Sequence, residues 1–236
     1  MDVQAIRILV DQFGDLGSRI SAMAKTVDAM EAITATTASI LDTAEAVAIS
    51  RGCDGKFETL APTNELPPKV DAIQYELLSG PCVDAALQST VFRTGDLEND
   101  DRWPEFGKRA AQEYDVHSML AVRLFIEDSD DVIAGLNCYS TARDAFSERD
   151  QACAELIAIY SAAAVTAVTE AERSRNLRVA LESNRQIGVA LGILMGRYKI
   201  TDDEAFSLMQ MASQRTHRKL RDIAADVAQT GDLNLP

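Results

Sequence analysis

A long stretch without a helix breaker is the feature that most constrains the fold of this chain. Glu148–Tyr198 contains no proline, and its first glycine is Gly188. Proline and glycine are the residues that most often interrupt a helix in water, so the stretch predicts one helix that opens near residues 146–150. Such a helix exceeds the roughly 10–14 residues usual in globular proteins. We therefore expect it to join two parts of the chain.

The sequence ahead of this helix mixes helical periodicity with short apolar runs typical of strands. Gly14 and Gly17 separate two helical segments near the N-terminus, and Asp54-Gly55 is typical of a hairpin turn. The predicted elements are, in chain order, helices at 3–13 and 16–41, strands at 45–50 and 56–61, a proline-marked loop at 62–68, a helix at 82–88, a strand at 91–94, a helix at 103–113, and strands at 118–126 and 132–140 with a turn at 127–131.

This order of elements predicts two domains. Residues 1–170 are expected to form an α+β domain in which helices flank an antiparallel sheet. Residues 171–236 are expected to form an all-α domain of three helices. The long helix would join the two domains, with the properties of a coiled coil in its second half.

Capping signals divide the three C-terminal helices. Thr201 and Glu204 have the spacing of a capping box, which predicts the start of the second helix. That helix is expected to end near Ser213, Thr216 is the candidate N-cap of the last helix, and Gly231 is a stop. The second helix is expected to bury Ala205, Phe206, Leu208, Met209 and Ala212.

Charge is distributed unevenly along the chain, whose net charge is −14. Residues 1–173 carry 14 Lys/Arg and 30 Asp/Glu, net −16, whereas residues 174–228 carry 9 Lys/Arg and 6 Asp/Glu, net +3. The acidic part would be repelled by nucleic acid, and the basic part could contact phosphate. The basic residues concentrate in an acid-free run that holds Arg215, His217, Arg218, Lys219 and Arg221. The alternative is a solvated basic face that balances nearby acids.

Apolar residues at alternating spacings of three and four predict a short coiled-coil seam on the long helix. A polar residue inside such a seam costs stability but fixes register and two-strandedness, and Asn184 occupies that position. The seam consists of Leu177, Ala180, Asn184, Ile187, Leu191 and Leu194. We expect it to pair two copies in a homodimer; the alternative is packing within one chain. Gly188, Gly192 and Gly196 lie four apart, which predicts close approach of another helix or of a ligand backbone.

Other classes of function find little support in the sequence. The N-terminus lacks the basic and apolar regions of a signal peptide, and no apolar run approaches the roughly 18 residues of a membrane span. We therefore expect a cytoplasmic protein without membrane contact. There is no phosphate-binding loop, dinucleotide fingerprint or hydrolase motif, so we expect no enzyme, metal or cofactor. The cysteines have no metal-ligand spacing and are expected to be buried free thiols: Cys53, Cys82, Cys138 and Cys153.

Residues from about 174 to 228 resemble the ANTAR domain, a three-helix RNA-binding module of bacterial transcription antiterminators. The matching stretches are Arg185-Gln186-Ile187-Gly188, Ala190-Leu191-Gly192-Ile193-Leu194-Met195, Asp203-Glu204-Ala205-Phe206, Ala212-Ser213 and Lys219-Leu220-Arg221-Asp222-Ile223-Ala224. The family usually has Ala-Lys-Gly where this chain has Ala190-Leu191-Gly192, so leucine replaces one candidate RNA contact.

Residues from about 20 to 170 resemble a GAF sensory domain, and the combination is similar to the GAF-ANTAR regulators of actinobacteria. The supporting stretches are Gln74-Tyr75-Glu76, Gly80-Pro81-Cys82, Asp101-Arg102-Trp103-Pro104, Ser118-Met119-Leu120-Ala121-Val122 and Gly135-Leu136-Asn137-Cys138-Tyr139-Ser140. Some GAF domains bind cyclic nucleotides and carry a characteristic sequence signature. Cys138 and Gln151 stand here in place of two charged residues of that signature, so we expect this domain not to bind a cyclic nucleotide. Candidate pocket residues are Trp103, Phe106, Ala121, Arg123, Leu136 and Cys138.

The resemblance implies a signal-responsive regulator that binds paired hairpins in nascent mRNA and so prevents a terminator from forming. A small molecule, a redox state or a protein partner would act on the GAF-like domain. The candidate RNA contacts are Gly192, Met195, Arg197, Lys199, Gln214, Arg215, Thr216, Arg218 and Lys219. Two alternatives remain: a signalling scaffold that binds a protein and uses its C-terminal helices only for dimerisation, and a DNA-binding regulator.

Overall fold

The computed structural model describes residues 3–53, 56–88, 91–124 and 133–233, and the chain folds as two compact units. The N-terminal unit is Met1–Glu172, and the C-terminal unit is Arg173–Pro236. Helices and strands are mixed in the N-terminal unit, whereas every described element of the C-terminal unit is a helix. The predicted fold class, an α+β domain followed by an all-α domain, is confirmed.

The described residues of the N-terminal unit form five strands and six α-helices, the last of which is shared with the C-terminal unit. In chain order the elements are α1 (Val3–Ser21), α2 (Thr26–Ile40), β1 (Ala46–Cys53), β2 (Lys56–Leu60), α3 (Leu66–Leu77), α4 (Pro81–Gln88), β3 (Val91–Thr94), a single 3₁₀ turn (Leu97–Asn99), α5 (Pro104–Tyr114), β4 (Ser118–Leu124), β5 (Ile133–Ser140), α6 (Glu148–Tyr198), α7 (Asp202–Thr216) and α8 (Leu220–Thr230).

The strands form one antiparallel sheet in the order β2-β1-β5-β4-β3. Side chains alternate between its two faces. On the first face, residues such as Leu120 and Leu136 pack with α1, α2 and the start of α6. On the second face, residues such as Met119 and Tyr139 pack with α3 and α5. The sheet therefore separates two apolar clusters, and a strand residue's parity decides which cluster it joins.

α6 is the predicted uninterrupted helix. It has 51 residues, which corresponds to a length of about 76 Å, and it runs from the N-terminal unit into the C-terminal unit. Within the described chain it alone has an 18-residue window apolar enough to cross a membrane, and 44% of that window is buried inside the protein. A buried core helix meets the same criterion, so this is weak evidence for a membrane span.

Two sequence predictions near the N-terminus are corrected. Gly14 and Gly17 do not interrupt a helix: α1 passes through both, and the break lies at residues 22–25. The segment with Pro67 and Pro68 is not a loop, because both prolines lie in the first turn of α3, where a missing N–H costs nothing. The predicted turns at 54–55 and 127–131 lie outside the described residues.

The C-terminal unit keeps the predicted three helices but shifts one boundary. The capping box is present, since Thr201 accepts from the Glu204 amide and Glu204 accepts from the Thr201 amide. α7 continues through Thr216, which is therefore not the N-cap of α8; Lys219 occupies that position. Phe206 is 36% exposed rather than buried. The core of this unit consists of Ala190, Leu194, Ala205, Met209, Ala212, Ile223, Ala224 and Val227.

Candidate nucleic-acid interface

The C-terminal unit has two chemically different ends. At one end, Arg197 near the end of α6 lies 2.8 Å from Asp232, which follows α8. At the other end, Arg221 at the start of α8 lies beside the α6 residues Arg178 and Gln186. α6 and α8 therefore run in the same direction and α7 returns between them. The 15 residues of α7 separate the ends by about 22 Å.

The end with Arg221 contains the turn between α7 and α8, which holds most of the predicted basic run. His217 adopts a left-handed conformation with φ of 53° and so ends α7. The Ser213 hydroxyl donates to the Arg218 carbonyl at 2.6 Å, and the Thr216 hydroxyl donates to the Ala212 carbonyl at 2.7 Å. These hydrogen bonds hold the turn, whose residues 213–219 we call the basic turn.

Two cations of the basic turn are available for a partner. Arg215 and Lys219 are exposed and make no ion pair within the described part of the chain. Arg218 is different, because its guanidinium lies 2.6 Å from Asp226, and that hydrogen bond raises the pKa of Arg218 further. An exposed cation without a partner is the group a phosphate can engage at least cost. Gln214 is also exposed at this end.

The end with Arg197 and Asp232 is acidic, and we call it the acidic end. It presents Asp202, Asp203 and Glu204 in the first turn of α7. Arg197 is paired with Asp232, and the Tyr198 hydroxyl also donates to Asp232, which lowers the pKa of that carboxyl. Lys199 follows α6 with φ of 57° and is exposed. Acids outnumber bases here, so this end repels phosphate.

The predicted RNA contacts are therefore divided between the two ends. Gln214, Arg215, Thr216, Arg218 and Lys219 lie together in the basic turn. Four other predicted contacts lie toward the acidic end and do not join them: Gly192, Met195, Arg197 and Lys199. The antiparallel course of α7 separates the two groups, and the sequence alone does not show this separation.

The predicted seam residues also divide into two groups. Leu194 is fully buried, and Ile187 and Leu191 pack against the core of the C-terminal unit. The N-terminal part of the seam, Leu177, Ala180 and Asn184, is exposed. A Cβ added at Gly188, Gly192 or Gly196 would meet nothing within 4 Å, so the close approach predicted there does not occur within the described chain.

The candidate GAF pocket is not one site. Trp103 and Phe106 pack on the second face of the sheet, and by alternation Ala121 and Arg123 of β4 project from that face. Leu136 and Cys138 of β5 pack in the cluster on the first face. The register pairs Ala121 with Asn137, so the β5 residues that accompany Ala121 are the odd-numbered ones. The register between β4 and β5 decides which β5 residues these are, and the sequence alone does not give that register.

A buried polar cluster on the second face was missed by the sequence analysis. The Asp71 carboxylate accepts from the Tyr139 hydroxyl at 2.5 Å, the Thr59 hydroxyl at 2.8 Å and the Gln74 amide at 3.0 Å. Burial raises the pKa of Asp71 to about 6, although these hydrogen bonds act to lower it. α3, the helix that carries Asp71, was not predicted from the sequence, because the two prolines in its first turn were assigned to a loop.

A second part of this cluster surrounds Ser50. The Cys82 thiol and the Asn137 amide both donate to the Ser50 hydroxyl at 3.0 Å. Burial raises the pKa of the Cys82 thiol far above its ordinary value. The Asn137 side-chain oxygen is buried without a hydrogen-bond partner. No group of three metal-ligating side chains occurs in the described ranges.

Comparison with known proteins places both units in families. The GAF domain matches residues 20–166, and the ANTAR domain matches residues 175–227. The GAF match covers more than half of the chain, which therefore belongs to the GAF domain family and carries a C-terminal ANTAR domain. This architecture is that of a regulatory protein. A comparison with curated proteins gives no match.

Several solved structures share the fold of the N-terminal unit. Free methionine-R-sulfoxide reductase from Neisseria meningitidis, solved with its substrate, is 14% identical with a TM-score of 0.53, over 74% of this chain and 95% of that one. The GAF domain of a phosphoenolpyruvate-protein phosphotransferase from Coxiella burnetii is 16% identical with a TM-score of 0.50, over 69% and 95%. That of the Acinetobacter phosphotransferase is 11% identical with a TM-score of 0.52, over 72% and 97%. At these identities the likeness shows the fold alone.

Proposed function

We propose that this protein is a signal-responsive regulator of transcription antitermination, of the actinobacterial GAF-ANTAR type, that acts in the cytoplasm. Its ANTAR domain binds paired hairpins in nascent transcripts, and its GAF domain receives the signal. The observation that carries this proposal is the basic turn, where Arg215 and Lys219 have no ion pair within the described chain. In the described part of the domain the acidic end also presents an exposed cation, Lys199, but acids outnumber bases there.

The chemistry of the basic turn suits RNA. Arginine and lysine contact phosphates, and these contacts dominate nucleic-acid affinity. Bases in hairpin loops are unstacked and can be read, which is where sequence-specific RNA recognition usually occurs. The DNA alternative uses the same cations, so competition between duplex DNA and hairpin RNA separates the two.

We further propose that the protein is a homodimer paired through the exposed part of α6. Leu177 and Leu181 are 59% and 60% exposed, and they lie one helical turn apart on one face. Ile187, Leu191 and Leu194 are already used by the core of the C-terminal unit, so the seam of the dimer would end near Asn184. Two linked ANTAR domains would bind two hairpins together, which raises affinity on the order of 10²-fold or more.

The signal would reach the GAF domain as a small molecule, a redox state or a protein partner, without a resident cofactor. An activity like that of the methionine sulfoxide reductases needs a reactive thiolate. Cys82, Cys138 and Cys153, the cysteines whose side chains the structure describes, are buried, and burial raises the pKa of all three thiols. We therefore propose a regulatory rather than an enzymatic role.

A second candidate function is a scaffold that binds a protein partner. The leucine at position 191 favours it, because the side chain packs against the core of the C-terminal unit rather than reaching a partner as the family lysine would. The unpaired cations of the basic turn favour RNA instead, and RNA is the function we propose.

The test of RNA binding uses two charge-matched variants of the full chain. Arg215→Glu with Lys219→Glu should abolish retention of a paired-hairpin RNA, because attraction becomes repulsion at the basic turn. Lys56→Glu with Lys108→Glu makes the same change in net charge at exposed positions of the N-terminal unit and should bind RNA as the parent does. Circular dichroism should be unchanged in both variants. RNA binding that survives in the first variant would remove the basic turn from the site.

A further inference from the structure

An open crevice lies beside the basic turn, between α6 and the start of α8. Its volume is about 340 Å³, and its lining consists of Arg178, Val179, Glu182, Ser183, Gln186 and Arg221. Binding sites for small molecules begin near roughly 300 Å³, so the crevice has room for one nucleotide-sized group. The α6 residues that line it include Arg178, Glu182 and Gln186, which follow one another at spacings of four and share a helix face.

The charges of the crevice suit a phosphate. Arg178 is exposed and makes no ion pair in the described part of the chain. Arg221 reaches its neighbour Asp222 only at 3.6 Å, a distance too long for a strong hydrogen bond. Glu182, the single acid of the lining, lies 3.8 Å from Arg185. Two guanidinium groups are therefore available to an anion, and their forked donors match phosphate oxygens.

The crevice and the basic turn form one continuous surface. Arg221 follows Lys219 by two residues, at the start of α8. The acids Asp202, Asp203 and Glu204 lie at the other end of the unit, about 22 Å away by the length of α7. A strand of RNA held at the basic turn would thus lie closer to the crevice than to these three acids.

We propose that this crevice binds one unpaired nucleotide of the RNA loop that the basic turn holds. Arg178 and Arg221 contact its phosphates, the Gln186 amide hydrogen-bonds the edge of its base, and the Val179 side chain packs against the face of the base. Glutamine carries both a donor and an acceptor and so can distinguish base edges. The proposal rests on the proposed RNA-binding function and assigns to the crevice the base recognition that the lysines and arginines of the turn do not supply.

The experiment measures the affinity of the full chain for paired-hairpin RNA as a function of salt. Arg178→Gln should lower the slope of log affinity against log salt by about one, because one phosphate contact is lost. Lys108→Gln makes the same change of charge at an exposed position of the N-terminal unit and should leave the slope unchanged. Circular dichroism confirms that each variant is folded.

A second arm tests base recognition in the crevice. Gln186→Ala should weaken binding of the natural loop by about tenfold. The same variant is compared with the parent on a series of RNAs, each abasic at one loop position. At one position the parent should lose its advantage over the variant, because the base that Gln186 contacts is missing.

The outcomes separate this inference from the function on which it rests. If the parent binds hairpin RNA, and the salt slope of Arg178→Gln equals that of Lys108→Gln, the crevice is not a nucleotide site although the function stands. An equal loss for Gln186→Ala on every abasic RNA would likewise overturn base recognition. If the parent binds no RNA at low salt, both proposals fall.

Discussion

The carboxyl group of Asp71 lies in the N-terminal unit with no exposure to water and with three donors around it. Its folded-state pKa of about 6 lies above the ordinary value of 3.8 because burial disfavours the charged form. Between these two pH values, the folded protein holds a proton that the unfolded chain has released. Asp71 therefore makes the folded state less stable as the pH rises through this window.

Substitution Asp71→Asn should remove this pH dependence. From pH 4 to pH 7.5, the unfolding free energy of the variant should rise relative to that of the parent by up to about 3 kcal/mol, since about two pKa units separate the folded and unfolded carboxyl. Urea unfolding can be followed by the fluorescence of Trp103, the single tryptophan, which is 1% exposed in the same unit. A difference between the proteins that stays constant with pH would contradict the assigned environment of Asp71.

Two glycines should respond in opposite directions to the same substitution. A Cβ at Gly107 would lie 1.8 Å from the Leu97 carbonyl oxygen, so Gly107→Ala should force α5 away and cost about 3 kcal/mol of unfolding free energy. A Cβ at Gly14 meets nothing within 4 Å, so Gly14→Ala should stabilise α1, by about 1 kcal/mol. Urea midpoints of both variants test this pair; equal shifts would mean that the packing of α5 on the 97–99 turn is not as described.

At the scale of elements, α6 shows what a local pattern can predict. The continuous helix over Glu148–Tyr198 follows from the absence of proline and of any glycine before Gly188. The prolines of α3 had the opposite effect: they were assigned to a loop, although the first turn of a helix accepts proline. A residue such as proline therefore predicts a helix boundary reliably only when its position within the helix is also known.

The candidate sites were less predictable than the elements because they depend on contacts between elements. Parity along β5 decides that Asn137 rather than Cys138 accompanies Ala121, and only the strand register supplies it. The crevice between Arg178 and Arg221 joins residues 43 positions apart in sequence. In the sequence, the only indication of the crevice is that Arg178, Glu182 and Gln186 follow one another at spacings of four. This spacing indicates a shared helix face but not which residues lie opposite that face.

The prediction about dimer formation concerns the exposed part of α6. Residues 173–182 are all exposed, and an isolated helix of this length is marginal in water. Leu177→Asp with Leu181→Asp should therefore give a folded monomer by light scattering, because two charges would enter the seam between copies. Leu87→Asp changes an equally exposed leucine on α4, 61% exposed, and should leave the dimer intact. A dimer that persists in the double variant would place the interface elsewhere.

At the scale of the whole molecule, the two units differ in net charge. The chain has a net charge of −14, yet residues 174–228 carry net +3, and the structure places the unpaired Arg215 and Lys219 together at one end of the ANTAR domain. We propose that RNA is thereby attracted to the basic turn and repelled by the acidic N-terminal unit. The GAF domain and the ANTAR domain are covalently linked by α6.

The measurement that tests this account most directly is the binding of paired-hairpin RNA by the purified protein, at low salt and near 200 mM. Loop-scrambled RNA and duplex DNA serve as controls. We expect binding that requires the loop sequences and falls steeply with salt, as phosphate contacts do. Retention of neither hairpin RNA nor its controls at low salt, or equal retention of all three, would contradict the proposal that the ANTAR domain reads RNA hairpins.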